Sequence, residues 1–264
     1  MKSEKAKVKK IASNNQIKEW KKLQMGKYRK KYGLFLAEGI RCVEQILQNG
    51  LVEVMAVLTD GSDALQLINV KTVPVYELLA EDFAAISDTQ TPQGVIAVCR
   101  MPVEAAPDEL IQNDGVIVAL DAIQDPGNLG TIIRNAAWFG AKALVFGTGC
   151  VDPFHPKVVR STAGATGSLP YLNGSLNQFF NQFENFGWRT YLLDAGEEAH
   201  ELSTIKPGSK SIIVAGNEAN GIQHSLFQPF RKRVKITGKT THVESLNAAM
   251  AMGISLYSFT RTLD

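Results

Sequence analysis

The chain has 264 residues, of which 45% are hydrophobic and 20% charged, a composition that excludes a mainly disordered protein. The length predicts one or two domains with a sizeable buried core. The net charge of +2 hides an asymmetry, because residues 1–31 hold twelve basic and two acidic side chains (net +10), which leaves −8 for the rest. This asymmetry predicts an anionic partner for the basic end.

The cysteines and histidines argue against two further classes of protein. Three scattered cysteines with no CxxC pattern are not a disulfide framework, which favours a reducing compartment. The four histidines show no ligand spacing, so we expect no metal site. No apolar run reaches about 18 residues, and no apolar segment follows the basic N-terminus. We therefore expect neither a membrane span nor a signal peptide, and a cytoplasmic location.

The basic arm, residues 1–31, contains a predicted amphipathic helix around residues 15–24. Two interpretations of the arm stay open. It is a solvated charged face, or it binds phosphates, with Trp20, Tyr28 and Tyr32 interleaved among the cations.

Residues 34–102 alternate helix and strand signals, which is typical of a small α/β domain. The predicted elements are a helix over 38–50, a strand over 52–60, a strand end and a helix over 73–87, and a strand over 94–100. Residues 103–112 lack a periodic apolar pattern, and we interpret them as a linker. The sequence thus predicts an N-terminal domain of residues 1–102.

From residue 113 to residue 264, strands and helices alternate in longer units. The predicted strands are 116–122, 143–147, 189–195, 211–216 and 232–238, and the predicted helices are 129–139, 156–166, 176–186 and 245–261. Such alternation predicts a parallel sheet that is covered on both faces. Since open parallel sheets place ligands beyond the carboxyl ends of their strands, we expect the chemistry in the loops that follow them.

The first of these loops, residues 125–134, contains two polar residues of interest. Asn128 has the character of an N-cap for the following helix. Arg134 lies in an otherwise apolar helical stretch, where a guanidinium needs an anionic partner or an open cleft.

Two later loops add further polar groups. The loop over 216–221 holds Glu218, which either meets a ligand or caps the next segment. Before the last helix, Ser245 or Glu244 has the character of an ordinary N-cap. The small residues over 248–255 indicate close backbone packing of that helix.

Together and in this order, NLGTIIRNAAWFG, AGNEANGI and SLNAAMAMG resemble the three signature motifs of the SpoU/TrmH family of RNA ribose 2′-O-methyltransferases, in the SPOUT superfamily. The resemblance covers residues 113–264. It extends more weakly over 34–102, where FLAEGIRCVEQIL and ISDTQTPQGVIAVCR are similar to the family's substrate-binding domain. It implies a parallel-sheet SPOUT domain with a C-terminal trefoil knot, preceded by a smaller RNA-recognition domain of ribosomal-protein-like α/β fold.

The resemblance also implies a cofactor, partners and site residues. The cofactor is S-adenosylmethionine, and the substrate is RNA, with ribosomal RNA favoured over transfer RNA by the resemblance of the extra N-terminal domain. The protein is a homodimer whose active sites lie near the subunit interface. The implied catalytic residues are Asn128, Arg134, Glu218, Ser245 and Asn247, with cofactor contacts from Gly216, Ile236 and Leu246 and RNA contacts from Arg134 and Arg160. Thr162 departs mildly from the family pattern, in which serine is commoner at that position.

Arg134 is the residue that the family nominates for the chemistry. Because arginine is effectively always protonated, we expect it to orient the RNA phosphate and stabilise a developing alkoxide rather than act as a base. Two alternatives stay open. The protein is a transfer RNA ribose methyltransferase, or it is a non-catalytic RNA-binding or ribosome-assembly protein. A Rossmann oxidoreductase is disfavoured because GxGxxG is absent from the sequence.

Overall fold

A computed structural model describes residues 9–70, 73–239 and 245–261 of the chain. These residues form two compact units. The first comprises the described residues up to Pro102 together with Asp152–Ser168, and the second comprises Val103–Val151 and the described residues from Leu169 onward. The first eight residues of the predicted basic arm and the predicted cap Glu244 lie outside the described residues.

The helices and strands alternate along the described chain, which gives both units an α/β fold. The strands are β1 (Lys10–Ile11), β2 (Leu34–Glu38), β3 (Val54–Thr59), β4 (Val75–Glu77), β5 (Val95–Arg100), β6 (Gly115–Asp121), β7 (Ala143–Gly147), β8 (Tyr171–Gly174), β9 (Arg189–Leu193), β10 (His200–Glu201), β11 (Lys210–Gly216) and β12 (Lys232–Lys235). The helices are α1 (Asn14–Lys22), α2 (Gly26–Tyr32), α3 (Ile40–Asn49), α4 (Ala80–Ile86), α5 (Pro107–Ile111), α6 (Pro126–Trp138), α7 (Pro156–Ser161), α8 (Leu176–Glu184) and α9 (Ala248–Thr260).

The first unit is built on a mixed sheet with the strand order β1-β4-β3-β5-β2. Strands β1, β4 and β3 pair in parallel, and β5 pairs antiparallel with both β3 and β2. Helix α1 begins with a capping box between Ser13 and Gln16, and it buries Trp20 and Leu23 in the core beside Phe83. The basic segment is therefore, over its described residues, part of a folded layer rather than a free arm.

The domain boundaries differ from the predicted ones at Asp152–Ser168, which the sequence places within a domain of residues 113–264. This segment belongs to the first unit because its apolar side chains are buried there. Phe154 packs its ring 5.2 Å from that of Phe35, and the carbonyl oxygen of Val159 lies 3.7 Å from the Cys42 sulfur. The helix is shorter than predicted, since a positive φ of 50° at Ala163 and one of 94° at Gly164 turn the chain out of it.

The second unit contains a seven-stranded sheet with the order β10-β12-β9-β11-β6-β7-β8, in which every pairing is parallel. The predicted parallel sheet is confirmed. Strands β6 and β11 are buried along nearly their whole length, as expected of strands that are covered on both faces. Helix α8 packs its phenylalanines against one face, and α9 contacts β6 and β11.

The predicted linker over 103–112 contains helix α5, whose Leu110 and Ile111 lie in the core of the second unit. Five helical residues are too few to produce a periodic pattern, which explains why the sequence does not reveal the helix. The predicted trefoil knot stays a prediction, because residues 240–244 of its last loop lie outside the described residues. Within the described ranges, no helix has the length and apolar character needed to cross a membrane.

Candidate active site

The first and second motif loops leave the sheet side by side. Strands β6 and β11 pair in parallel with Asp121 opposite Gly216, the last residue of each strand. Both loops therefore start at the same edge of the sheet, at the carboxyl ends of the strands where ligands of open parallel sheets bind.

In the first loop, the helix cap differs from the prediction. The N-cap of α6 is Asp125, whose Oδ1 accepts a hydrogen bond from the Asn128 backbone N–H at 2.7 Å. The predicted N-cap role of Asn128 is wrong, because the helix begins earlier, at Pro126. Its side-chain amide is thus free to bond elsewhere, and Nδ2 donates to Oε1 of Glu218 at 2.5 Å.

The second loop is a tight turn whose backbone is closed on itself. The N–H of Asn217 donates to the carbonyl of Gly221 at 3.1 Å, and the N–H of Gly221 donates back at 2.8 Å. The side-chain oxygen of Asn217 also accepts from the backbone N–H of Ala219 at 2.9 Å. A Cβ at Gly216 would lie 2.4 Å from the carbonyl carbon of Gly221, so this position requires glycine. Glu218 is exposed in this turn.

In the third loop, Asn247 has two functions. It is the N-cap of α9, with Oδ1 accepting from the backbone N–H groups of Ala249 at 2.9 Å and Met250 at 3.3 Å. Its Nδ2 donates to Oδ1 of Asn128 at 2.8 Å. The predicted N-cap role of Ser245 is wrong, because α9 starts at Ala248, two residues later than a cap at Ser245 requires.

These contacts form a continuous chain of side-chain hydrogen bonds, Asn247 to Asn128 to Glu218, which we call the amide rim. The amide rim joins all three motif loops, since Asn128 bonds to residues 90 and 119 positions further along the chain. Each loop thereby holds the next in a fixed position at the edge of the sheet.

The other predicted residues of the second and third motifs, and Ile236 before them, lie at strand ends or directly before α9. Ser245 and Leu246 are exposed directly before Asn247, and Ile236 is half-buried just after the end of β12. Gly216 ends β11. Because β11 and β12 belong to the same parallel sheet, Gly216 and Ile236 lie at the edge of the sheet from which the motif loops leave.

Arg134 lies on the exposed face of α6, and its side chain points away from the buried residues Ile132, Ile133 and Ala136. Its side chain is exposed, and no hydrogen bond or ion pair to its guanidinium is found among residues 9–70, 73–239 and 245–261. Among those residues, neither Asn128 nor Asn247 forms a hydrogen bond to Arg134.

Arg160 lies in the first unit, on α7, and already has anionic neighbours. Its Nη2 donates to Oδ2 of Asp88 at 3.1 Å, and its Nη1 lies 3.8 Å from Oε2 of Glu38. Glu38 is itself buried and accepts hydrogen bonds from Ser87 and Thr89. The RNA contact of Arg160 stays a prediction, since its positive charge is balanced within the unit.

Two residues that support the site were missed from the sequence. Asp121 is buried and accepts from the backbone N–H of Gln223 at 2.7 Å and from its Nε2 at 2.8 Å, which ties the end of the second loop to β6. Asn217 donates from Nδ2 to the carbonyl of Ala122 at 2.9 Å, which ties the start of that loop to the first one. An acidic residue at a strand end and an asparagine beside a glycine are weak signals, because both are common in ordinary turns.

The close packing of the last helix is confirmed. A Cβ at Gly253 would lie 3.0 Å from the side-chain nitrogen of Asn135 on α6. That nitrogen also lies 3.4 Å from the carbonyl of Ala249. The small residues of α9 thus allow α6 to approach its backbone directly.

In the described part of the chain, no group of three or more His, Cys, Asp or Glu side chains is arranged to hold a metal ion.

Comparison with family models gives two matches. Residues 115–257 match the SpoU rRNA Methylase family, and residues 14–97 match the MRM3-like substrate binding domain.

Comparison with individual proteins gives matches over almost the whole chain. The chain is 33% identical over 252 residues to the 23S rRNA (guanosine(2553)-2′-O)-methyltransferase RlmP of Bacillus subtilis, covering 93% of this chain and 96% of that one. A TrmH-family protein from Porphyromonas gingivalis superposes with a TM-score of 0.81 at 31% identity, covering 96% and 99% of the two chains. The SpoU methyltransferase AviRb from Streptomyces viridochromogenes, in complex with AdoMet, superposes with a TM-score of 0.81 at 25% identity, covering 94% and 98%.

Proposed function

The chain belongs to the SpoU rRNA methylase family, and we propose that it methylates a ribose 2′-hydroxyl of ribosomal RNA with S-adenosylmethionine as the methyl donor. The observation that carries this proposal is the amide rim. It gathers the three motif loops at one edge of a parallel sheet, where such folds bind their ligands. The set of Asn128, Arg134, Glu218, Ser245 and Asn247 is intact in this sequence, which argues against a protein that has lost catalysis.

The residues at this edge fit a nucleoside-type cofactor. Apolar surface from Ile236 and Leu246 suits the faces of an adenine ring, and the backbone of the turn that starts at Gly216 suits its polar edge. The amides and the carboxylate of the rim are suited to ribose hydroxyls. When bound, S-adenosylmethionine supplies an activated methyl group on its sulfonium.

The chain's own residues supply orientation and charge. We assign Arg134 to the RNA phosphate and to the negative charge that develops on the ribose oxygen, because its guanidinium is exposed and permanently protonated. Ser245 and Asn247 orient the ribose, and Glu218 holds the second loop through Asn128. Holding the hydroxyl oxygen in line with the methyl carbon lowers the entropic part of the barrier.

Arg160 belongs to this proposal in a minor role. To contact an RNA phosphate, it would have to weaken its ion pair with Asp88. We therefore assign it a smaller contribution to RNA affinity than Arg134.

A homodimer is part of the same proposal, and exposed apolar side chains support it. Trp138 on α6 is 83% exposed, while Met250 and Tyr257 on α9 are 58% and 51% exposed. Such a cluster on two packed helices is typical of an interface. Trp138 follows Arg134 by four residues on the same face of α6, so a second subunit that covers Trp138 would lie beside Arg134. We also propose a cytoplasmic location, since all three cysteines are unpaired.

Calorimetric titration with S-adenosylmethionine tests the proposed function. We expect saturable binding by the wild-type chain. Asn128→Asp should bind about tenfold more weakly, since aspartate cannot donate to Glu218 and adds a like charge to the rim. Asn128→Ala is the matched control, because it removes the hydrogen bonds of Asn128 to Glu218 and Asn247 without adding a negative charge. An absence of binding heat in the wild type would favour a non-catalytic RNA-binding protein instead.

A further inference from the structure

The first two helices of the first unit carry a partly exposed surface of lysines and tyrosines, in which Lys27 and Lys31 are exposed and Lys22, Tyr28 and Tyr32 are half-buried. Lys27, Tyr28, Lys31 and Tyr32 lie on one face of α2, and Lys22 approaches the same face from the end of α1. We call these five residues the lysine–tyrosine face. The rings of Tyr28 and Tyr32 are stacked, with their centroids 5.9 Å apart and their planes inclined by 21°.

The cations of this face lie over the aromatic rings rather than beside carboxylates. The Nζ atoms of Lys22 and Lys27 lie 5.4 and 4.9 Å from the centroid of Tyr28, and that of Lys31 lies 5.8 Å from the centroid of Tyr32. Within the described ranges, none of these three lysines forms an ion pair. Their positive charge is therefore available to an anionic ligand.

Other cations of the basic segment are already neutralised. Lys9 pairs with Glu77 at 2.7 Å, Lys21 pairs with Asp82 at 3.0 Å, and Arg29 pairs with Asp152 at 2.6 Å. Lys10, Lys18 and Lys30 also form no ion pair among the described residues, but in that part of the chain none of them lies over an aromatic ring. The lysine–tyrosine face is therefore where unpaired cations and aromatic rings occur together.

Arg29, which is only 2% exposed, fixes the backbone beneath the lysine–tyrosine face. Its Nε and Nη2 donate to Oδ2 of Asp152 at 2.9 and 2.6 Å, and its Nη1 donates to the carbonyls of Leu23 and Gln24, both at 2.9 Å. These bonds fix the turn between α1 and α2, so little conformational entropy is lost when a ligand binds the face.

A cavity of about 370 Å³ opens beside Tyr32. It is lined by Glu19, Trp20, Leu23, Lys31, Tyr32 and Leu34. Apolar and aromatic walls with one carboxylate and one ammonium suit a flat heterocycle whose edge carries hydrogen-bond donors and acceptors. The volume is within the range of small-ligand pockets.

We propose that the lysine–tyrosine face binds an unpaired stretch of the RNA substrate, with phosphates on the lysines, bases stacked on the tyrosines and one base in the cavity. The proposal deepens the proposed function and rests on it. Unpaired rather than duplex RNA is specified because bases inside a helix cannot reach a ring or enter a cavity.

Fluorescence anisotropy with the full chain tests this proposal, using a labelled single-stranded RNA that cannot pair with itself and a hairpin of equal length that is paired up to a short closing loop. Tyr28→Leu/Tyr32→Leu should weaken binding of the single strand by about tenfold or more, since stacking contributes about 1–3 kcal/mol per base. Hairpin binding should stay nearly unchanged. Tyr28→Phe/Tyr32→Phe is the matched control and should retain single-strand binding.

The lysines give a second test that does not alter the rings. Lys27→Gln should reduce the slope of log affinity against log salt by about 0.7 for single-stranded RNA. Lys30→Gln, on α2 but turned away from the tyrosines, should leave that slope unchanged.

If Tyr28→Leu/Tyr32→Leu and Lys27→Gln both bind the single-stranded RNA as tightly as the wild type does, the proposal is overturned. An equal loss of hairpin binding would also overturn it, because it would mean a general basic surface. Titration of the same variants with S-adenosylmethionine separates this failure from failure of the proposed function. If cofactor binding is retained while the RNA result is negative, only the lysine–tyrosine face is refuted.

Discussion

Asn128 and Arg134 lie six residues apart on one helix, yet the structure gives them different surroundings. Asn128 is bonded on both sides within the amide rim, whereas Arg134 is exposed on another face of α6. A change at Asn128 is therefore expected to act on the cofactor site, and a change at Arg134 on the RNA and the reaction.

Arg134→Ala should lower the turnover number by about 10²–10³-fold, because it removes a positive charge that stabilises charge in the transition state. Affinity for S-adenosylmethionine and thermal stability should stay nearly unchanged, since the side chain is exposed. Single-turnover methylation and calorimetry measure the two effects separately. Arg134→Lys, which keeps the charge but not the planar fork, should retain part of the activity. Full turnover in Arg134→Ala would refute the assignment.

At the scale of elements, the turn after β11 depends on a backbone contact that only glycine permits. Gly216→Ala would place a Cβ 2.4 Å from the carbonyl carbon of Gly221, so the turn must open. We expect loss of S-adenosylmethionine binding, measured by calorimetry, and a lower melting temperature.

The matched control for this substitution is Gly221→Ala. Gly221 has a φ of 66° with no atom within 4 Å of its added Cβ, so alanine there costs only about 1–2 kcal/mol of left-handed strain. A larger effect at Gly221 than at Gly216 would contradict the account of the turn.

The apolar surface of α6 and α9 gives a prediction about assembly. Trp138→Lys should convert a homodimer into a monomer, as measured by light scattering, because it places a charge in the proposed interface. Phe230→Lys is the control, since Phe230 is also exposed but lies outside these helices. If Trp138→Lys has the same mass as the wild type, the interface lies elsewhere.

Sequence periodicity predicts the elements of the parallel sheet well, because β6 and β11 are continuous apolar runs between turn residues. It does not predict that Asp152–Ser168 belongs to the first unit. The buried valines of α7 would suit either core equally, and their partners are distant in sequence. The caps Asp125 and Asn247 were missed because several residues near each helix start are equally good caps.

At the scale of the whole molecule, the described part of the basic segment, residues 9–31, belongs to the folded first unit. Trp20, Leu23 and Arg29 are buried, so deleting residues 1–31 would remove part of the core of the first unit. A loss of RNA binding after that truncation would not isolate the charge. Substitutions on the lysine–tyrosine face are the appropriate test.

The stability of the whole chain should fall at alkaline pH because of two buried thiols. Burial raises the pKa of Cys42 from 9.0 to about 12, and it raises the pKa of Cys99 further. Above pH 9.0 these thiols ionise in the unfolded chain but stay protonated in the native one. The free energy of unfolding should therefore decrease with rising pH, by up to about 1.4 kcal/mol per pH unit for each thiol.

Urea unfolding of the wild type and of Cys42→Ala/Cys99→Ala at about pH 8 and about pH 10 measures this dependence. The double variant should lose less stability over the interval, although its absolute stability is lower because of the cavities left behind. Equal losses in the two proteins would mean that the thiols do not contribute.

The central claim is that this chain methylates the 2′-hydroxyl of a ribose in ribosomal RNA. The most direct measurement incubates the purified chain with unmethylated ribosomal RNA and labelled S-adenosylmethionine, and then maps ribose methylation along the RNA. We expect methylation at a defined ribose, at a rate lowered about 10²–10³-fold in Arg134→Ala although that variant still binds the cofactor. Label found on a base instead of a ribose, or no transfer by a chain that binds both cofactor and RNA, would contradict the account.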